Sequence, residues 1–334
     1  MDSYPHNVTM FAPAAANSGV TSDGVMAGGR IMQHTLKASI DCVGIGLHSG
    51  VRVAMTLRAA GTGHGIVFRR RDLGIDIPAR YDLVTDTRLC TVLAHPAIAE
   101  ARIGTVEHVM AALAATGVTN VVVEVDGPEV PILDGSAANF VFLIDCAGVV
   151  AQDQVQSAIV VTRPVRVDGA HGAYTELLPP AAGGVGLDAR IAIDFDVPAI
   201  GAQSLALQIN GASFRRQLAA ARTFTLLGEV EAMQAAGLAL GGSLDNAVVV
   251  DGEKVLNPAG LRMPGEFVRH KLLDMVGDLA LAGAVLHAGL RANRPGHTLN
   301  NQVVRKLFAD PANWRLVDGL APVESGSPQR AANG

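Results

Sequence analysis

The chain has 334 residues, of which 49% are hydrophobic and 4% are aromatic, and its formal net charge at pH 7 is −5. This length suits one large or two medium domains, and the acidic balance argues against nucleic acid as a partner. The longest apolar runs, such as residues 279–286, are too short to cross a bilayer, so we expect no stable membrane insertion.

Small and polar residues dominate both ends of the chain and one internal segment. Residues 1–30 lack the basic and apolar blocks of a secretory signal and are predicted to form a disordered extension. Residues 307–334 are predicted to be a C-terminal tail of the same kind. The polar segment 151–158 is predicted to be a linker, which places an N-terminal domain at residues 31–152 and a C-terminal domain at residues 157–306.

The N-terminal domain is predicted to contain strands first and helices later. Residues 34–70 alternate between apolar and polar side chains, which is typical of strands. Four-residue apolar periodicity predicts a helix over residues 104–117, with Thr105 as its N-cap and Gly117 as its C-cap. A second helix is predicted over residues 138–149.

The C-terminal domain is predicted to repeat that order. Strands are expected within residues 159–200, followed by helical stretches at 213–227 and 229–242. A hairpin is predicted at residues 247–258, and a long amphipathic helix at 266–283. Both halves therefore favour an α+β fold of two domains with related layout, and a cleft between such domains is a natural place for a site.

The long helix carries a polar stripe opposite its apolar face. Four side chains form the stripe: His270, Lys271, Asp274 and Asp278. The ordinary interpretation is a solvated charged face on which Lys271 and Asp274 pair at i,i+3 spacing. The alternative is a metal or acid–base site, because His270 and Asp274 lie one helical turn apart and can supply two metal ligands.

Two other segments offer partners for this stripe. TVEH supplies His108 as a third ligand, with Glu107 beside it in the first turn of its helix. The ordinary interpretations are a carboxylate favoured by the helix dipole and a surface or core histidine. In RPGHTLNN, His297 follows Pro-Gly and is predicted to lie on a loop or tight turn, where it is a candidate proton donor.

Taken together, these segments resemble the UDP-3-O-acyl-N-acetylglucosamine deacetylases, zinc hydrolases that commit Gram-negative bacteria to lipid A synthesis. The matching stretches run in family order from about residue 31 to about residue 305: VGIGLHSG, RLCT, TVEH, PEVPILDGSA, ARTF, GLALGGSLDNAVV, EFVRHKLLDMVGD and GHTLNN. The resemblance implies two related two-layer α/β sandwich domains packed helix to helix in the order β-α-α-β, with the active site in the cleft between them. It also implies hydrolysis of the substrate's N-acetyl group to give UDP-3-O-acyl-glucosamine and acetate.

The resemblance further implies which residues carry the chemistry. His108, His270 and Asp274 would hold Zn²⁺, although Fe²⁺ also suits such ligands. Glu107 would take a proton from the attacking water, and cationic His297 would stabilise the oxyanion or protonate the departing amine. The remaining expected catalytic residues are Asp278, which would bond His297 and raise its pKa, Thr223, which would polarise the carbonyl, and Lys271, which would face the sugar nucleotide.

The same resemblance predicts the substrate contacts. Phe195 would stack on uracil, although a core aromatic on a strand is the ordinary interpretation. A βαβ insertion at about residues 224–252 would form an apolar passage for the acyl chain. The candidate residues for these contacts, each also compatible with ordinary packing, are Phe224, Leu227, Val230, Ala239, Leu244 and Val249.

Other interpretations of the sequence are kept open. The chain could be a catalytically silent homologue that binds a sugar nucleotide or lipid, or another zinc amidohydrolase such as a peptidase, although it contains no H-E-x-x-H motif. A thiol hydrolase using Cys90 would lack an adjacent base in RLCT. The resemblance instead implies that Cys90 lies near the site, where a thiol would bind a second, inhibitory metal. His48 is expected near the cleft. Three widely spaced cysteines indicate a reducing compartment, so we expect a cytoplasmic protein. Nothing in the sequence demands a dimer, so we expect a monomer.

Overall fold

The computed structural model describes residues 25–26, 30–182 and 184–318. The disorder predicted for residues 1–30 therefore falls mostly outside the described residues. Within that segment, strand β1 (Val25–Met26) pairs antiparallel with the beginning of β2 (Arg30–Leu36). These residues of the predicted extension are therefore part of a sheet.

Three sheets organise the described N-terminal half. After β1 and β2, its strands are β3 (Ile40–Ile45), β4 (Arg52–Ala59), β5 (Ile66–Arg70), β6 (Ile75–Pro78), β7 (Val84–Asp86), β8 (Val92–His95), β9 (Ile98–Ile103), β10 (Val121–Val125) and β11 (Val149–Val155). The sheet orders are β1-β2-β11, β3-β4-β10-β5-β6 and β7-β8-β9. β10 is valine-rich, lies centrally in the five-stranded sheet and is buried along its whole length, as expected for a strand covered on both faces.

Two helices belong to this half, α1 (Glu107–Thr116) and α2 (Ala138–Ala147), and they pack against each other. α1 ends at Gly117, which adopts the left-handed conformation predicted for its C-cap. The predicted N-cap was wrong, because the residue preceding α1 is Val106 and Thr105 has a φ of +58°. The Thr105 hydroxyl instead donates to the Glu129 carboxylate at 3.0 Å.

The C-terminal half is built around a seven-stranded sheet. Its strands and those of a small neighbouring sheet are β12 (Ser157–Val161), β13 (Val165–Asp168), β14 (Tyr174–Leu178), β15 (Leu187–Asp194), β16 (Ala202–Ile209), β17 (Phe224–Leu226), β18 (Val248–Asp251), β19 (Lys254–Val255), β20 (Val285–Asn293) and β21 (Trp314–Asp318). The large sheet has the order β13-β14-β20-β12-β21, with β15 pairing β20 and β16. β20 therefore occupies its centre.

In the described part of this half, three helices pack on the large sheet, and a fourth, the second in chain order, packs on the small one. They are α3 (Gly211–Gln217), α4 (Leu227–Ala235), α5 (Glu266–Ala280) and α6 (His297–Ala309), and short 3-10 turns occur at Tyr81–Leu83, Ala170–Gly172 and Pro311–Asn313. α6 packs on β13 and β14, whereas α5 contacts β15, β16 and β20 on one side and α1 on another. Because α5 is enclosed between the sheet and α1, both its apolar and its polar faces are buried.

Several predicted boundaries differ from the structure. The predicted linker at 151–158 is wrong, because its residues lie in β11 and β12, which pair with β2 and with β20 and β21. The predicted end of the C-terminal domain at residue 306 is too early. α6 continues to Ala309, and β21 adds a further strand that pairs antiparallel with β12. The helical stretch predicted at 213–227 contains α3 and then β17. β17 and β18 are parallel and joined through α4, and this βαβ unit coincides with the predicted insertion.

The α+β class predicted from the sequence is confirmed. A continuous apolar core includes the inner faces of both large sheets and of α1, α2 and α5. None of the helices in the described part of the chain combines the length and apolarity that crossing a bilayer requires.

Candidate metal centre

The site forms where the first turn of α1 approaches the middle of α5. Gly277 of α5 lies directly against the main chain of Glu107, and a Cβ at this position would overlap the Glu107 carbonyl oxygen. Glycine therefore permits an approach of the two helices that a larger residue would prevent. As a result, the first turn of α1 and the polar stripe of α5 face each other across a narrow gap.

Three side chains from these helices converge on one point. The Nε2 atoms of His108 and His270 lie 3.5 and 3.2 Å from Oδ1 of Asp274. One ligand atom from each residue lies within 4.8 Å of the other two, and all three residues are buried. This is the three-ligand set that a catalytic metal uses when it leaves a position open.

The protonation and hydrogen bonding of the cluster fit a cation. Nδ1 of His270 lies 3.0 Å from the Ala221 carbonyl oxygen, which can only accept, so Nδ1 carries the proton and Nε2 presents a lone pair. Burial, opposed in part by Asp274, lowers the pKa of His270 to about 4, which keeps the ring neutral at pH 7. Asp274 Oδ1 is buried and has no hydrogen-bond partner among the described residues. A buried carboxylate oxygen of this kind is suited to a metal ion.

Glu107 is a buried carboxylate next to His108 in the first turn of α1. Its Oε2 accepts the main-chain N–H of Thr91 at 3.0 Å. Burial raises the pKa of Glu107, and the nearby His297 offsets part of that rise. Oε1 of Glu107 lies 3.8 Å from Nε2 of His297. A carboxylate with a raised pKa is better matched to accepting a proton near neutral pH than an exposed one.

His297 is held in its cationic form by carboxylates. Its Nδ1 lies 2.8 Å from Oδ2 of Asp278, as predicted for this pair. Burial alone would lower the pKa of His297, but the charges of Asp278 and Glu107 raise it to about 10. The predicted loop position was wrong, because His297 is the first residue of α6 and follows Gly296. The ring therefore stands on a helix end instead of a free loop.

Asp278 is the centre of a hydrogen-bond network that the sequence did not predict. Besides His297, it accepts the Thr91 hydroxyl on Oδ1 at 2.6 Å and the Asn300 side-chain amide on Oδ2 at 2.9 Å. Both donors are buried. The only signal in the sequence was their position in RLCT and GHTLNN, two of the stretches that carry the family resemblance.

The polar stripe of α5 is therefore not a solvated face. His270, Asp274 and Asp278 are at most 4% exposed, which contradicts the ordinary interpretation of this helix. The predicted contact between Lys271 and Asp274 is present, with Nζ 3.4 Å from Oδ2. Lys271 is the member of the stripe that retains access to solvent.

Phe224 lies beside the cluster, with its ring centroid 6.3 Å from that of His270, and Thr223 precedes it in the chain. The main chain of Thr223 is fixed by Gly135, whose carbonyl accepts its N–H at 2.8 Å. Phe224 packs edge-on against Phe195, with ring centroids 5.6 Å apart, and the Lys271 ammonium lies 5.3 Å from the centroid of Phe224. Phe195 is half-buried and packs against the core, so the ordinary interpretation of this residue describes part of its environment.

A buried ion pair fixes the start of α5 next to these residues. Glu266 is fully buried, and its Oε1 accepts both the main-chain N–H and the Nε–H of Arg222, at 3.1 and 2.8 Å. Its Oε2 accepts the main-chain N–H of Arg262 at 2.7 Å. Arg222 lies between Ala221 and Thr223 in the chain, and the Ala221 carbonyl bonds His270. The ion pair therefore fixes the segment that carries Ala221 and Thr223 against the start of α5.

A cavity of about 830 Å³ lies between α4 and the segment that contains Cys90. Its apolar wall on the α4 side is formed by Ala232, Met233, Ala236 and Leu238. The residues predicted for the acyl passage do not line this cavity. Leu227 and Val230 are half-buried on α4, Ala239 is buried at a φ of +53°, Leu244 is exposed, and Val249 is buried in β18.

His48 and Cys90 also line this cavity. The main-chain N–H groups of His48 and Ser49 donate to Glu129 at 2.9 and 3.0 Å, which ties the VGIGLHSG loop to the residue that also holds Thr105. Burial, reinforced by Glu107, raises the pKa of the Cys90 thiol, so it remains protonated at neutral pH. Because the thiolate is the nucleophilic form, this environment argues against a thiol hydrolase.

An α+β fold that brings a buried His-His-Asp cluster together with a carboxylate and a cationic histidine defines a hydrolase with a candidate metal centre. A sequence profile of LpxC, UDP-3-O-acyl N-acetylglycosamine deacetylase, matches residues 33–309. The chain belongs to this deacetylase family, as the motifs predicted, and is a hydrolytic enzyme.

Curated relatives cover most of the chain. It is 48% identical over 285 residues to the UDP-3-O-acyl-N-acetylglucosamine deacetylase of Anaeromyxobacter sp. (strain Fw109-5), covering 85% of this chain and 91% of the relative. The protein of that name from Myxococcus xanthus (strain DK1622) is 47% identical over 289 residues, covering 85% of this chain and 89% of the relative. The one from Idiomarina loihiensis is 42% identical over 307 residues, covering 89% and 98%. The family match therefore covers most of the described fold, from residue 33 to residue 309.

Proposed function

We propose that the protein hydrolyses the N-acetyl group of UDP-3-O-acyl-N-acetylglucosamine, releasing acetate and UDP-3-O-acyl-glucosamine in the committed step of lipid A synthesis. We propose that it does so as a cytoplasmic monomer. The observation that carries the proposal is the convergence of His108, His270 and Asp274 beside Glu107 and His297. The identity with curated deacetylases over most of the chain supports the choice of substrate.

The proposed cofactor is Zn²⁺, held by Nε2 of His108, Nε2 of His270 and Oδ1 of Asp274. Two neutral imidazoles and one carboxylate suit zinc, and Fe²⁺ also fits this donor set. When bound, such an ion acts as a Lewis acid that polarises a carbonyl and makes water more acidic. The neutral state of His270 supports this assignment, since a protonated ring could not donate a lone pair.

The proton transfers are assigned to the two residues on either side of the reacting amide. Glu107 accepts a proton from the water molecule as the water oxygen attacks the acetyl carbon. His297, kept cationic by Asp278, then donates a proton to the amide nitrogen as the C–N bond breaks, so that acetate leaves and the sugar keeps a free amino group. Thr223 is proposed to donate a hydrogen bond to the developing oxyanion.

The substrate's remaining parts are assigned to neighbouring surfaces. Lys271 supplies a positive charge at the mouth of the site for the sugar nucleotide, and Phe195 supplies a half-buried ring for the uracil. The cavity beside α4 has an apolar wall that suits the 3-O-acyl chain. Its lining favours Met233 and Leu238 as acyl contacts. The predicted contacts lie outside this lining and stay a separate prediction: Leu227, Val230, Ala239, Leu244 and Val249.

Metal analysis combined with an acetate-release assay tests this proposal. The purified protein is expected to contain about one tightly bound zinc ion per chain and to lose its activity when a chelator removes it. His270→Ala is expected to lose both zinc and activity. The control is His64→Ala, which removes an exposed histidine and should retain both. Full deacetylation by metal-free protein would overturn the metal assignment, and the absence of deacetylation by zinc-loaded protein would overturn the substrate assignment.

The pH dependence of kcat/KM is expected to be bell-shaped. Activity should fall as pH decreases through the raised pKa of Glu107, which must be ionised to accept a proton. It should also fall as pH increases through the pKa of His297, which is raised to about 10 and must be protonated to donate. Asp278→Asn removes a charge that raises the pKa of His297, so the basic limb should move to lower pH.

The control for this shift is Asp188→Asn, which neutralises an exposed aspartate on β15 and should leave the basic limb unchanged. A basic limb that stays in place in Asp278→Asn would show that Asp278 does not set the protonation of His297.

A further inference from the structure

Thr91 contacts Glu107, the proposed base, and Asp278, the carboxylate that bonds the proposed acid His297. Its side-chain hydroxyl donates to Oδ1 of Asp278 at 2.6 Å, and its main-chain N–H donates to Oε2 of Glu107 at 3.0 Å. Thr91 is 1% exposed, so neither bond competes with solvent. The two acceptors lie on different helices, and Thr91 lies on neither of them.

The hydroxyl fixes the orientation of the Asp278 carboxylate. Among the described residues, the donor to Oδ1 is Thr91, whereas Oδ2 faces His297 and Asn300. A carboxylate that accepts bonds on both oxygens cannot rotate freely about its terminal bond. Thr91 therefore keeps Oδ2 aimed at Nδ1 of His297, and with it the ring's orientation.

The main chain of Thr91 fixes the other partner. Because Oε2 of Glu107 is occupied by the Thr91 N–H, Oε1 is the oxygen that faces Nε2 of His297 at 3.8 Å. The Thr91 carbonyl in turn accepts the N–H of Val106, the residue before α1, at 3.4 Å. Residue 91 is thus anchored to the start of α1 and holds a side chain of α5 at the same time.

The geometry points to Thr91 as a positioning residue that sets the separation and orientation of Glu107 and the Asp278–His297 pair. The assignment rests on the proposed deacetylase function. Thr91 acts through Asp278 and does not touch the reacting atoms. A misplacement of reacting groups by about 1 Å can cost on the order of 100-fold in rate, so loss of this bond should reduce kcat and leave substrate binding largely unchanged.

Three variants of the zinc-loaded protein test the inference. Thr91→Val keeps the shape and the main-chain bond but removes the hydroxyl, and we expect kcat to fall about 10-fold or more with KM changed less than 3-fold. Thr91→Ser restores the hydroxyl and should recover most of kcat. The control is Thr35→Val, which removes a buried hydroxyl that donates to the Asn120 carbonyl at 2.7 Å, away from the site, and it should retain kcat.

A double-mutant cycle separates positioning from general destabilisation. If Thr91 acts through Asp278, adding Thr91→Val to Asp278→Asn should lower kcat no further than Asp278→Asn alone. Independent, multiplicative losses, or a wild-type kcat in Thr91→Val, would overturn the inference. Wild-type protein that releases no acetate would instead overturn the proposed function, so the two failures are distinguishable.

Discussion

Replacing Glu107 with glutamine is expected to reduce kcat about 10²- to 10⁴-fold while the metal remains bound. Glutamine has nearly the same shape, and its side-chain oxygen can still accept the Thr91 N–H that now binds Oε2. It cannot take a proton from water. Acetate-release kinetics and metal content, measured on the same preparation, check this result.

The matched control is Glu100→Gln, which makes the same change at an exposed position of β9 and should retain wild-type kcat. Wild-type turnover by Glu107→Gln would show that another group accepts the proton. Loss of zinc from Glu107→Gln would instead show that Glu107 supports the metal ligands.

The largest loss of stability is expected when the buried Arg222–Glu266 pair is broken. Glu266→Ala leaves the Arg222 guanidinium buried without its counter-charge, which costs about 3–5 kcal/mol in the free energy of unfolding. The control is Asp145→Ala, which breaks the exposed pair with Arg215 and should cost less than about 1 kcal/mol. Urea denaturation of both variants measures the difference, and equal losses would contradict the role of burial.

The same pair predicts an acid dependence. Burial would raise the pKa of Glu266, but Arg222 and the surrounding N–H donors hold it below its ordinary value. A carboxyl group whose pKa is depressed by folding stabilises the fold above its unfolded pKa, and that contribution is lost as pH falls through the folded pKa. The stability difference between wild type and Glu266→Ala should therefore be full at pH 7 and should shrink below the ordinary glutamate range. A difference that persists unchanged at acidic pH would contradict this account.

The sequence predicted the grouping of polar residues on α5 but not their environment. The spacing of His270 and Asp274 indicated two candidate ligands on one helical face, and the motif resemblance supplied His108 as a third, and the structure brings the three side chains together. Helical periodicity marks one face as apolar and leaves the other assigned to solvent. In the fold, α1 covers that second face, and a contact between distant segments of this kind leaves no trace in the local pattern.

Local signals failed where a tertiary contact used the same residue differently. Thr105 is a residue type that often caps helices, but its hydroxyl donates a hydrogen bond to the Glu129 carboxylate. Pro-Gly before His297 suggested a turn, although it leads directly into α6. The polar residues of the predicted linker form an edge-like strand because β2 supplies a hydrogen-bonding partner from over one hundred residues away.

Gly277 gives the site a geometric constraint of its own. The imidazoles of His108 and His270 belong to separate helices, α1 and α5. The distance between these helices depends on Gly277, which has no side chain to separate them. An engineer who wished to accommodate a larger cation, or to exchange a histidine for a longer chelating group, would gain little from redesigning the donors alone. The helix crossing itself would have to be respaced, and Glu107, whose main chain lies against Gly277, would move with it.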